Sequence, residues 1–159
     1  QSPKRELLRQ FERAGSPGAR GAVLVASASF WEGVDLPGDV LQLVVIDKLP
    51  FPPPDDPLVQ ARVQRAQARG EDGFAVVHLA EAALALAQGA GRLIRTEADR
   101  GVVVLADSRV LQRSYGPLLL AAMPPMRWLS DESGLLAELE SLAGERGVTT
   151  PSTTGFPGF

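Results

Sequence analysis

Three short runs of branched apolar residues constrain this chain most: AVLVAS (22–27), LVVID (43–47) and GVVVLAD (101–107). Runs of this length, rich in Val and Ile, suit strands buried on both faces of a sheet. Helical spacing fills the stretches around them. Strand alternating with helix predicts an α/β fold built on a mostly parallel sheet flanked by helices. A chain of 159 residues is long enough for one domain with a sizeable core. Each apolar run ends in polar residues: Ser27 and Ser29, then Asp47 and Lys48, then Asp107 and Arg109. Open α/β sheets bind ligands beyond the carboxyl ends of their strands, so the polar chemistry lies where such a fold uses it.

The helices have readable ends. Ser2-Pro3 can open a first helix with Leu7, Leu8 and Phe11 on one face, closed by Gly15-Ser16-Pro17-Gly18. After the second run, LPFPPPDDP (49–57) is a stiff, proline-rich connection. Asp56 then caps a helix that has Pro57 in its first turn and reaches about Arg69. Its Arg62, Arg65 and Arg69, at i, i+3 and i+7, share one face; a solvated basic surface accounts for that spacing as simply as a ligand does. A long helix is expected from Phe74 to Arg95, with Leu79, Ala83, Leu86, Ala90 and Leu93 as its apolar stripe. Residues 110–122 read as helix broken near Gly116-Pro117, and 133–143 as a short amphipathic helix. The polar segment 147–159 is expected to be a disordered tail behind a domain of residues 1–146.

Composition narrows the chemistry. The chain has no cysteine, which excludes disulfides and thiolate metal sites, and the single His78 cannot make a zinc site alone. His78 reads as structural. A net charge of −3 argues against a nucleic-acid binder held by bulk charge. No run approaches about 18 apolar residues, so no membrane span is expected, and there is no signal-peptide pattern; a cytoplasmic location is the expectation. Basic residues are almost all arginine, fourteen against Lys4 and Lys48, and arginine suits bidentate phosphate recognition.

Two stretches carry candidate chemistry. In QGAGRLIR (88–95), Gln88, Arg92 and Arg95 fall at i, i+4 and i+7 on one helical face, with Gly89 and Gly91 beside them. A mid-helix glycine costs about 1 kcal/mol relative to alanine, so two of them suggest close approach of a ligand or another domain. Two guanidiniums and an amide on one face can grip phosphate oxygens; incidental surface charge is the other explanation. In ASASFWEGVDLPG (26–38), hydroxyls at Ser27 and Ser29 can contact phosphodiester oxygens. Trp31 or Phe30 can stack on a base, or simply pack in the core. Gly33 permits a tight turn between Glu32 and Asp35, carboxylates able to accept from ribose hydroxyls.

Together these stretches resemble a known family. SFWEGVDLPG is similar to helicase motif V and QGAGRLIR to motif VI of the DinG/XPD-like DNA helicases of superfamily 2. IDKLPFPPPDDP and VVVLADSR resemble the bacterial DinG branch, and the likeness covers roughly residues 5–125. It implies a RecA-like, P-loop NTPase-type lobe, the second of two that sandwich ATP. The phosphate-binding loop and the Mg2+-binding acidic motif belong to the first lobe. This chain has no G-x-x-x-x-G-K-[ST] and no Gly-Lys pair. Beginning at Gln1, it reads as an excerpt that lacks the lobe's opening strand.

The resemblance assigns roles residue by residue. Arg95 becomes the arginine finger reaching the γ-phosphate, Arg92 its support and Gln88 the orienter of phosphate or attacking water. Glu32, Gly33, Asp35 and Gly91 become nucleotide-side residues. Ser27, Ser29, Trp31 and Lys48 become contacts to single-stranded DNA, Lys48 also being placed to reach the first lobe. Asp107 and Arg109 become a conformational anchor beside motif VI. No residue is assigned to a metal; an iron–sulfur cluster, where a parent protein has one, belongs to the first lobe. The implied function is ATP-driven translocation and unwinding with 5′-to-3′ polarity, with the isolated fragment inactive. A non-catalytic α/β module that binds phosphate or a protein partner, and an inactive helicase relative attached to a nuclease, stand as alternatives.

Overall fold

The computed structural model describes residues 3–16, 18–19, 21–27, 30, 36, 40–92, 100–129 and 131–145. The chain forms two compact units, one of residues 1–24 with 128–159 and one of residues 25–127. The first holds helices α1 (Pro3–Ala14) and α6 (Glu132–Glu145). Helix α1 is closed as its glycines imply: Gly15 N–H donates to the Phe11 carbonyl at 2.8 Å, and Gly18 takes a positive φ of 80°. Helix α6 is longer than expected, and Leu142 is its buried residue. The segment read as a tail, 147–159, lies outside the described residues.

The second unit is α/β. Strands β1 (Leu43–Ile46) and β2 (Val102–Leu105) pair in parallel, Leu43 with Val102 through Ile46 with Leu105. The ladder continues at both ends, with Val102 N–H to Gln42 carbonyl at 2.8 Å and Ala106 N–H to Ile46 carbonyl at 2.9 Å. Between the strands run α2 (Pro57–Gln67), a π-helical segment (Phe74–Leu79) and α3 (Ala80–Ala90); α4 (Arg109–Gln112) and α5 (Gly116–Ala122) follow β2. Ile46, Leu49, Leu79, Ala82, Leu86, Val110 and Leu119 form the buried core, with Val44, Val103 and Leu105 packed against it.

Two strand expectations need correction. Residues 22–27 adopt no strand, and Val23 and Val25 are each 90% exposed. Strand is a property of pairing, and among the described residues β1 and β2 pair only with each other. Strand β1 is not buried on both faces either. Val44 and Ile46 face the core, while Leu43 and Val45 are 39% and 57% exposed. The alternation follows from the two-residue period of a pleated strand with helices packed on one side.

The expected long helix is also modified. It opens as a π-helix, where each turn holds an extra residue, before becoming α-helical at Ala80. Its α-helical part ends at Ala90 with Gly91 as cap, short of Arg95. Gly89 and Gly91 are poor helix formers, which favours a stop there. The apolar stripe is present but turned slightly: Ala82 is fully buried and Ala83 only partly, with Leu79, Leu86 and Ala90 buried as expected. Two glycines are sterically required. A Cβ on Gly73 would lie 2.7 Å from Val63 Cγ1, so α2 and the π-segment meet there. A Cβ on Gly116 would lie 1.9 Å from the Val110 carbonyl oxygen, which explains the break between α4 and α5.

Candidate nucleotide and DNA site

Both strands end at the same edge because they are parallel and in register. The loop after β1 brings Asp47, Lys48 and Leu49; the loop after β2 brings Asp107, and the first residue of α4 brings Arg109. Asp107 organises this edge. Its Oδ2 accepts the Leu49 N–H at 2.9 Å, and its Oδ1 accepts the Arg109 N–H at 3.0 Å. The Arg109 guanidinium closes on the same carboxylate, Nη2 to Oδ2 at 2.6 Å and Nε to Oδ1 at 3.0 Å. The Asp107 side chain is 9% exposed and that of Arg109 43%. The Arg109 hydrogen bond, reinforced by the two backbone donors, holds the Asp107 carboxyl well below the usual carboxylate range. The guanidinium is shifted upward by the same bond. Asp107 and Arg109 are thus consumed by each other and by the β1 loop, and form a clasp across the two strand ends.

The clasp continues through aromatic rings. The Arg109 guanidinium carbon lies 5.6 Å from the centroid of Phe51 in the proline-rich loop. Phe51 meets Tyr115 edge-on at 5.7 Å and Phe74 at 5.7 Å. Phe74 stacks on His78 at 5.8 Å. His78 therefore packs in the π-segment that leads into α3, consistent with a structural part. Asp56 accepts from Leu58 N–H at 2.7 Å and Val59 N–H at 3.3 Å, and so caps α2 directly after this loop. Nothing in the sequence links Phe51, Phe74 and Tyr115, which lie far apart in the chain; only the Asp107–Arg109 spacing was a visible signal.

The described site residues differ in setting. Gln88 is exposed on the last turn of α3, and Arg92 sits just past its end, half-buried with its Nε shielded from solvent. The Arg92 N–H donates to the Gly89 carbonyl at 3.3 Å. A Cβ on Gly91 would press within 3.0 Å of the Ala87 carbonyl oxygen. Ser27 is exposed and its carbonyl accepts the Phe30 N–H at 2.9 Å. Lys48 is exposed beside the clasp. Ser29, Trp31, Glu32, Gly33, Asp35 and Arg95 lie outside the described residues. Among the described residues no group of three or more His, Asp or Glu side chains could hold a metal ion, and no helix is long and apolar enough to cross a membrane.

Comparison with known proteins places this arrangement. The chain is 52% identical over 125 residues to the ATP-dependent DNA helicase YoaA of Escherichia coli, covering 79% of this chain and 19% of that protein. It is 48% identical over 120 residues to the ATP-dependent helicase DinG of Mycobacterium tuberculosis, covering 76% of this chain and 18% of that protein. It is 42% identical over 127 residues to the 3′-5′ exonuclease DinG of Bacillus subtilis, covering 75% of this chain and 14% of that protein. The chain thus spans about a fifth or less of the length of each of these relatives. A family model described as the helicase C-terminal domain matches residues 1–126, a span that includes both strands, the clasp and the whole of QGAGRLIR. The chain belongs to the helicase C-terminal domain family.

Proposed function

We propose that this chain is the second motor lobe of an ATP-dependent DNA helicase, formed by residues 1–146 with 147–159 as a tail, and inactive without the first lobe. The observation that supports this most directly is the family match over residues 1–126, within which Gln88, Gly91 and Arg92 cluster at the end of α3. In this reading ATP and Mg2+ supply the phosphoryl chemistry and are held mainly by the first lobe, as is any iron–sulfur cluster. No carboxylate or histidine cluster among the described residues here fits the metal.

The lobe's own residues then act electrostatically. Arg95 stabilises the charge that develops on the γ-phosphate oxygens, Arg92 supports the same group, and Gln88 orients the phosphate or the attacking water. Glu32, Gly33, Asp35 and Gly91 line the nucleotide side. Ser27, Ser29, Trp31 and Lys48 hold single-stranded DNA. Closure and opening of the cleft alternate the grip of the two lobes on the strand, with 5′-to-3′ translocation. The clasp from Asp107 to Leu49 fixes the loop that carries Lys48, so the DNA side and the β2 edge move as one body.

The test is DNA-stimulated ATP hydrolysis by the full-length protein that carries this lobe. Arg95→Ala lowers turnover about 100-fold or more, the scale of losing one preorganised donor. Unchanged turnover in Arg95→Ala and Arg92→Ala would end the assignment. The exonuclease name of the Bacillus relative favours one second reading, a helicase-like lobe serving a nuclease without ATP hydrolysis. A full-length protein that degrades DNA but lacks ATPase activity decides for it.

A further inference from the structure

Helix α2 carries a feature that neither helicase motif uses. Arg62 and Arg65 on the helix and Arg69 in the turn after it line, with Ala66, Val76 and Val77, a groove of about 220 Å³. One water needs about 10–15 Å³ of such space, so the groove has room for a group of several heavy atoms. Its floor is apolar, since Ala66 and Val77 are buried. Its rim is guanidinium. Arg62 is paired with Glu81 of α3, and Arg69 with Glu71 at 2.9 Å. Arg65, between them, has no carboxylate partner among the described residues. The two ion pairs are exposed, and exposed pairs contribute only about 0–1 kcal/mol. Glu81 and Glu71 therefore orient the outer guanidiniums at little cost to an exchange with a stronger acceptor.

Phosphate is that acceptor. Guanidinium forks match phosphate oxygens and outcompete ammonium for bidentate contact. An apolar floor under a basic rim suits the sugar edge of a phosphodiester chain. The chain's overall charge of −3 makes such binding local to the groove.

We propose that the groove between α2 and the π-segment binds the phosphodiester backbone of single-stranded DNA, as a second track separate from residues 26–38 and 88–95. This rests on the reading of the chain as a DNA motor lobe, but its test does not use ATP. A fluorescent oligothymidylate is titrated with this chain between roughly 50 and 200 mM salt without nucleotide. Arg62→Gln/Arg65→Gln/Arg69→Gln lowers the slope of log affinity against log salt by about 2, at ~0.7 per lost single-strand contact. Arg65→Gln alone lowers it by about 0.7, and Arg65→Lys keeps it. Arg65 makes no hydrogen bond or ion pair among the described residues, so the single variant separates binding from folding, and an unchanged urea midpoint verifies it. A salt slope unchanged in the triple variant overturns the proposal. So does loss of polyglutamate binding with oligothymidylate binding intact, which would mark the groove as a site for an acidic protein. A fall in slope alongside normal ATPase in Arg95→Ala leaves this site standing and removes only the motor reading.

Discussion

The two strand ends make a controlled comparison. Each strand delivers an acid and a base to the same sheet edge: Asp47 and Lys48 after β1, Asp107 and Arg109 after β2. Asp47 and Lys48 are both exposed, and neither side chain makes an ion pair among the described residues. Asp107 is nearly buried, takes two backbone N–H groups and is closed over by a bidentate guanidinium. Similar residues thus become a free cation at one end and a structural clasp at the other. The difference lies in geometry. The two-residue step from Asp107 to Arg109 bends into a turn whose N–H returns to the carboxylate, and no such return bond forms at Asp47 among the described residues. One end leaves its charges exposed; the other ties the two strand ends together.

Substitutions can break this contrast at several strengths. The largest effect is expected at Gly116, next to Tyr115 of the aromatic chain that backs the clasp. Gly116→Ala drives a methyl group into the Val110 carbonyl and should cost about 3 kcal/mol in urea unfolding, the upper range for overpacking. Asp107→Ala comes next, at about 2 kcal/mol, because it leaves the buried Leu49 N–H without its acceptor. Its contribution has a definite pH sign. The folded carboxyl lies below its unfolded value of about 3.9, so the stabilisation is complete above that pH and is lost as pH falls toward the folded pKa. Wild type and Asp107→Asn should therefore differ most above about pH 5 and converge in acid. A gap that stays constant down to acid pH would show that the clasp is packing, not charge. Asp47→Ala and Lys48→Ala give the smallest change, within about 0.5 kcal/mol. Lys48→Ala should nonetheless lower the salt slope of oligothymidylate binding by about 0.7, sharpening the distinction between a binding residue and a structural one.

Much of the local structure was legible. Asp56 and Pro57 announced the start of α2, and Gly116-Pro117 announced the break after α4, because caps and proline geometry act over a few residues. A parallel sheet was expected from helical sequence between branched apolar runs, and β1 and β2 do pair in parallel. The motif stretches at 26–38 and 88–95 were visible as residue types at fixed spacing, and with them the family.

What the sequence alone determined, then, is the alternation of apolar runs with helical segments, several helix ends and the residue types offered to phosphate. Tertiary structure decided which of those elements pair and which polar groups remain free. The apolar run 22–27 resembles β1 and β2 in composition, yet it forms no strand, because a strand exists only where another backbone accepts its hydrogen bonds. Asp107 and Asp47 are the same side chain, yet only one finds the Leu49 amide, 58 residues away. The π-turn before α3 and the meeting of Phe51, Phe74 and Tyr115 likewise depend on contacts between distant segments. Local rules act through a few bonds; pairing and burial are settled by neighbours that only folding brings together.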